Sequence, residues 1–161
     1  MNTEKFTQHR ILAISPTSRG FGYAVMEAPL RLIDWGVVQT KKDLDKRITR
    51  LSDLIRRYVP TVLVTEDFKS LRKGPRAKNL IQSIGKLSYE LKIPIRKVGV
   101  SKVRNIFQRS GAITKLQIAH TIGRWFPELA TRLPKPRKIG MGENYRMSIF
   151  DAIGLAISFY Q

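Results

Sequence analysis

His9-Arg-Ile-Leu-Ala-Ile-Ser15-Pro-Thr-Ser-Arg-Gly-Phe-Gly-Tyr-Ala-Val-Met26 reads as two short apolar runs joined by a polar bend. Ile11 to Ile14 is uninterrupted, reaches Ser15 and breaks at Pro16; Phe21 to Met26 takes up a second run. Apolar runs of this length, bounded by turn residues, mark strands buried in the middle of a sheet. The first strand therefore delivers Ser15 to the end of a central strand, beside a flexible turn that carries Arg19.

Working outward, Pro29-Leu30 turns the chain into a third strand, Leu32 to Val38. Connections this short cannot hold a crossover helix, so the three strands form an antiparallel meander. A helix follows from Lys41 to Tyr58, with Leu44, Ile48, Leu51, Leu54 and Ile55 at spacings of three and four and the basic side chains mostly elsewhere. After Pro60, Thr61-Val-Leu-Val-Thr65 is a continuous apolar and β-branched run, as in a strand covered on both faces, and it ends at Glu66-Asp67. A basic stretch broken at Gly74-Pro75 leads to a helix over 76–91 and a fifth strand over 93–98. Ser101 is expected to cap a helix through Phe107, and Thr114 another through Trp125. A Pro- and Gly-rich basic loop over 133–142 precedes a last helix over 145–159. The order predicts an α/β fold: one mixed five-stranded sheet, three antiparallel strands then parallel strands, with helices on both faces. Residues 1–8 read as a short flexible lead and 9–161 as a single domain.

Thirty Lys and Arg stand against twelve Asp and Glu, a net charge of +18, with a sequence pI near 10.8. A compact domain with that excess repels itself, which points to a polyanionic partner and above all to nucleic acid. The chain has no cysteine, excluding disulfides and thiolate metal sites. No apolar stretch is long enough to cross a bilayer, and the N-terminus lacks the apolar core of a secretion signal. These features suit a reducing, cytoplasmic, nucleoid-associated setting, with no membrane partner and no small-molecule cofactor.

Three distant points converge in this topology. Ser15 ends the central strand, Glu66 ends the strand expected to lie parallel to it, and Asp151 sits on the last helix. There Asn144, Ser148 and Asp151 share a face among Ile149, Ile153, Leu155 and Ala156. A carboxylate in so apolar a helix must be paired, capped or ligating, because burying it alone is costly. The residues by themselves leave other accounts open: Ser15 as a strand end, Glu66 as a surface ion-pair acid, Asp151 as the partner of a core arginine.

Ile11-Leu-Ala-Ile-Ser-Pro-Thr-Ser-Arg-Gly-Phe-Gly-Tyr23, Thr65-Glu66-Asp67 and Phe150-Asp151-Ala-Ile-Gly-Leu-Ala156, in this order and at these separations, resemble the RNase H-like nucleases. The likeness is strongest to the RuvC-type Holliday-junction resolvases, and it runs from about Ile11 to Tyr160. It implies an RNase H-like fold, a homodimer, branched DNA as substrate, and phosphodiester hydrolysis assisted by Mg²⁺ or Mn²⁺. Carried over residue by residue, it makes Glu66 and Asp151 the metal ligands. The family has an aspartate where this chain has Ser15, and an acid near Ser148. Glu143, on the loop before the last helix, is the favoured substitute ligand, ahead of Asp67, which alternation sends to the opposite face of its strand. Ser15 would then occupy the place of a lost ligand and orient water. Arg19, Lys69, Arg72, Lys73, Arg76, Lys78, Lys102, Arg104, Lys115, Lys135, Arg137 and Lys138 are the expected phosphate contacts. Phe68, with Leu71, resembles the wedge that resolvases insert at a junction's centre. Two alternatives stand beside this reading: a catalytically inactive junction-binding module, and a nuclease of the same fold that processes structured RNA.

Overall fold

The computed structural model describes residues 9–67, 69, 74–136, 138 and 144–161. The expectations placed on Phe68, Leu71, Arg72, Lys73, Arg137 and Glu143, and on the lead over 1–8, lie outside the described residues. The elements, in chain order, are β1 (Ile11–Pro16), β2 (Gly20–Ala28), β3 (Arg31–Gln39), α1 (Leu44–Tyr58), β4 (Val62–Glu66), α2 (Pro75–Leu91), β5 (Ile95–Val98), α3 (Val100–Gln108), α4 (Lys115–Trp125), a 3-10 helix (Pro127–Arg132) and α5 (Met147–Phe159). The sheet order is β3-β2-β1-β4-β5. The pairs β1–β2 and β2–β3 are antiparallel, while β1–β4 and β4–β5 are parallel. This is the mixed sheet that the element order predicts.

Alternation along the central strands divides the core in two. Ile11, Ala13, Val62 and Val64 pack on the side of α3, α4 and α5, together with Phe107, Ile122 and Ile153. Leu12, Ile14 and Leu63 pack on the side of α1 and α2, against Leu51, Ile55, Leu80 and Ile84. β1 is buried along its whole length, as its unbroken apolar run requires. α5 lies across β1, β2 and β4 and is itself covered by α3 and α4, so nearly every residue from Met147 to Ser158 is buried. A helix enclosed on all sides is apolar all round. Asp151 is the exception on its middle turn.

Gly22 sets how closely α5 can approach. A Cβ there would come within 2.3 Å of the Ser148 carbonyl and 2.5 Å of its Oγ, so the helix rests on the bare backbone of β2. Gly22 pairs with Ser15 across β1, which places Ser15, Gly22 and Ser148 at one crowded spot at the end of the sheet.

Three local details differ from the sequence expectation. α3 begins at Val100 with Gly99 as its N-cap, two residues ahead of Ser101. The 3-10 helix over Pro127–Arg132 has no periodic signal to announce it. α1 begins at Leu44 because the Asp43 side chain accepts from the Lys46 N–H and fixes the start there. Thr114 caps α4 as expected, and the box is completed by Gln117. No helix among the described residues is long and apolar enough to cross a membrane.

Candidate active site

Ser15 and Glu66 reach the same place because they continue the same alternation. β1 and β4 run parallel in register from Ile11–Val62 to Ile14–Thr65, and the next step on each strand is Ser15 and Glu66. Both follow the parity of Ala13 and Val64 and turn toward α5. The Ser15 Oγ donates to Glu66 Oε1 at 2.8 Å, with Ser15 at 0% and Glu66 at 6% exposure. The Thr65 hydroxyl, on the other parity, donates to the Ile14 carbonyl at 2.9 Å and stitches the two strands at their ends.

A groove of about 1330 Å³ opens from this edge, and Glu66, Ser148 and Asp151 all line it. The two acids named by sequence therefore share one cavity, one from a strand end and one from the facing helix. Ser15 is not among the lining residues; it sits behind Glu66 and orients that carboxylate from below. Asp151 is met by Lys115, the first residue of α4, with Nζ 3.2 Å from Oδ2. The Ser148 hydroxyl donates to the Tyr145 carbonyl at 2.7 Å, closing the turn that leads into α5. Asp67 turns away: its N–H donates to the Val98 carbonyl at 2.9 Å, and its Oδ1 accepts from the Lys69 N–H at 3.1 Å.

Of the cations expected to grip phosphates, Arg19, Arg104 and Lys115 line the groove. Lys69, Arg76, Lys78, Lys102, Lys135 and Lys138 do not line it; all are exposed except Lys78, which is half-buried. Two features escape sequence reasoning. Beside Arg104, the rest of the polar face of α3 (Ser101, Asn105 and Gln108) also lines the groove, at spacings that a search for apolar periodicity does not register. Arg47 is fully buried. It donates through Nε to Thr40 Oγ1 at 3.1 Å, and through Nη2 to the Ser18 carbonyl at 2.7 Å. It thereby anchors the β1–β2 turn on which Arg19 stands. Burial, and after it the charge of Arg76, pushes this guanidinium below its ordinary range.

Among the described residues no group of three or more His, Asp or Glu side chains converges. Magnesium commonly takes one or two carboxylates and fills its remaining positions with water and substrate phosphate. In number and kind of donor, Glu66 and Asp151 match what one hard divalent cation takes on those terms. An ion at Asp151 would also compete with Lys115 for that carboxylate.

No protein-family model matches the chain, and no curated protein matches it. Solved structures do. The Thermus thermophilus RuvC bound to a Holliday-junction substrate superposes with a TM-score of 0.63 at 18% identity, covering 93% of this chain and 91% of that one. The fold is the RuvC fold. A second T. thermophilus RuvC structure gives a TM-score of 0.61 at 16% identity, covering 92% of this chain and 91% of that one. The yeast mitochondrial Holliday-junction resolvase Ydc2 gives 0.59 at 15%, covering 99% of this chain and 82% of that one. At such identities the likeness to RuvC is one of fold, and it extends over nearly the whole chain.

Proposed function

We propose that this protein binds branched DNA in the groove and hydrolyses phosphodiester bonds there with the aid of Mg²⁺ or Mn²⁺. The observation that carries the proposal is that Glu66 and Asp151 line one cation-walled cavity on a RuvC fold. The T. thermophilus RuvC that this chain resembles holds a Holliday junction, and a net charge of +18 fits such a polyanion. In this reading Glu66 and Asp151 hold the ion and Glu143 assists. A divalent cation supplies Lewis-acid polarisation of the phosphate and a reactive water at neutral pH. Ser15 fixes the Glu66 carboxylate by its hydrogen bond. Arg19 and Arg104 hold the backbone of the bound strand, and Lys115 keeps Asp151 aimed at the groove. A junction presents two symmetry-related strands, so two copies of the chain act together as a homodimer.

The test is cleavage of a labelled four-way junction with Mg²⁺ or Mn²⁺, comparing the natural chain with Glu66→Gln. The expected result is cleavage that falls at least about 100-fold in the variant while junction binding persists, as for loss of a group needed in the transition state. Equal cleavage by the two proteins would overturn the assignment.

A second reading is favoured by the contacts themselves. Glu66 is engaged by Ser15 and Asp151 by Lys115, an arrangement that also serves a binding module without cleavage. Tight junction binding by the natural chain, with no metal-dependent cleavage even after Ser15→Asp, would select that reading. Competition between four-way DNA and structured RNA separates the two substrate classes.

A further inference from the structure

Two large side chains with apolar surface stand exposed in the groove. Ile113 is 68% and Tyr145 is 50% exposed, and both line the groove alongside Lys115 and Asp151. They occupy equivalent positions, each two residues before the first residue of a helix, α4 for Ile113 and α5 for Tyr145. Exposed apolar groups are common on protein surfaces and need no explanation singly. A pair lining the same groove as an acid–lysine contact and two arginines is a different matter. The isoleucine side chain and the tyrosine ring face offer phosphate nothing, whereas a nucleobase gains from both.

The backbone that carries each of them is tied down, and the Tyr145 ring is held as well. The Ile113 N–H donates to Gln117 Oε1 at 2.8 Å, within the capping network of α4. Tyr145 is fixed from several directions. Its carbonyl accepts from the Ser148 hydroxyl at 2.7 Å, and the Arg146 N–H beside it donates to Asn144 Oδ1 at 2.9 Å. The Arg146 guanidinium carbon lies 5.7 Å from the Tyr145 ring centroid, and its Nε donates to the phenol oxygen at 3.3 Å. A ring pre-set by a guanidinium, on backbone that is itself tied down, loses little freedom when a base stacks on it.

We propose that Tyr145, backed by Arg146 and flanked by Ile113, is a stacking site for an unpaired nucleobase next to the Asp151–Lys115 end of the groove. The inference rests on the DNA-binding reading above and deepens it: the bound strand is splayed, with one base lifted from its neighbours beside the scissile backbone. The residues of this site are not those that sequence selects as a wedge, Phe68 and Leu71. Stacking of this kind is tolerant of base identity, because every base presents a π-face. It should therefore favour open or branched DNA over continuous duplex without imposing a sequence.

The experiment measures binding of the full chain, without divalent metal, to a four-way junction and to a linear duplex of the same composition. The junction carries 2-aminopurine at successive positions around the crossover. For the natural chain we expect tighter binding to the junction and a fluorescence change confined to one or two probe positions. Tyr145→Ala should weaken junction binding about tenfold more than duplex binding, the scale of one lost base–aromatic stack, and should abolish the local signal. Tyr145→Phe should retain both, and Ile113→Ser should fall between. Duplex binding by the same variants reports that they are folded. If Tyr145→Ala kept the natural junction-to-duplex ratio and the probe signal, the stacking site would be overturned while the DNA-binding reading stood. If the natural chain bound neither DNA, that earlier reading would fall and the stacking site with it.

Discussion

Ser15 shows how much a single side chain decides here. Its hydroxyl is fully buried and donates to Glu66, so the serine acts by orienting a carboxylate and not by facing solvent. An aspartate at 15 would set a second carboxylate against Glu66 in a place with little water, and like charges so close cannot both ionise cheaply. Ser15→Asp should therefore lower stability by about 2–3 kcal/mol in EDTA, a fall in Tm of roughly 5–10 °C for a chain of this size. Millimolar Mn²⁺ should restore most of that loss, because a cation between the two acids stabilises the folded form alone. A metal-dependent shift in Tm much larger for Ser15→Asp than for the natural chain would show that position 15 is the missing corner of a cation site. An equal shift in the two proteins would remove it from consideration. Lys115 makes a complementary point. Sequence selects it as a phosphate contact, but nothing in the sequence announces that it meets Asp151, 36 positions further along the chain.

At the scale of elements, the packing of α5 on β2 governs the site, because that contact sets where Asp151 stands. Gly22→Ala inserts a methyl group where the nearest atoms belong to the Ser148 backbone and cannot rotate away. Overpacking of this sort costs about 1–3 kcal/mol. The relief available is a shift of α5 off the sheet, so DNA cleavage should fall well beyond what the stability loss explains, measured well below the variant's Tm. A second element-level prediction concerns alkaline pH. Burial and then Asp34 push Tyr23 up to about 12, burial and then Glu27 push Tyr160 up to about 12, and Tyr58 is raised by burial and its hydrogen bond to Asp34. These phenols join β2 and β3 to α1, and the end of α5 to the His9 and Met26 carbonyls. A proton held more tightly in the folded form contributes stability in full below pH 10, and the contribution is lost as pH rises toward 12. Tm should drop between pH 10 and 12, and the drop should shrink in the Tyr23→Phe, Tyr160→Phe double variant. The elements themselves were largely legible in sequence: unbroken apolar runs gave β1 and β4, turn residues gave the meander, and Thr114 gave the start of α4. Arg47 was not, because its acceptors are backbone carbonyls and a threonine hydroxyl supplied by loops. A charge on an amphipathic helix reads as solvent-facing until the loop that covers it is known. The shared groove of Glu66 and Asp151 was legible only through topology, since strand parity and sheet order, not local pattern, bring the two together.

For the molecule as a whole, salt should act with opposite sign on the protein and on its complex. With a net charge of +18 on 161 residues, the free chain stores self-repulsion that compactness aggravates. Raising salt shortens the Debye length from about 30 Å at 0.01 M to about 10 Å at 0.1 M, which relieves that repulsion across a domain of this size. The free protein should therefore gain several degrees in Tm over this range. Its grip on DNA should weaken over the same range, because binding releases counterions from the phosphates. A groove walled by Arg19, Arg104 and Lys115, with exposed Lys69, Arg76 and Lys102 beyond it, can neutralise about six phosphates, for which log Kd rises with log salt at a slope near 5. Junction affinity should then fall about a thousandfold between 50 and 200 mM salt. Fluorescence anisotropy gives the slope and a thermal scan of the free chain gives the other sign. Replacing Arg19 and Arg104 together by glutamine should lower the slope by about 2 if both touch phosphate. A slope unchanged by that pair would move the DNA path off the groove, and with it the assignment of Glu66 and Asp151 as the residues that meet the backbone.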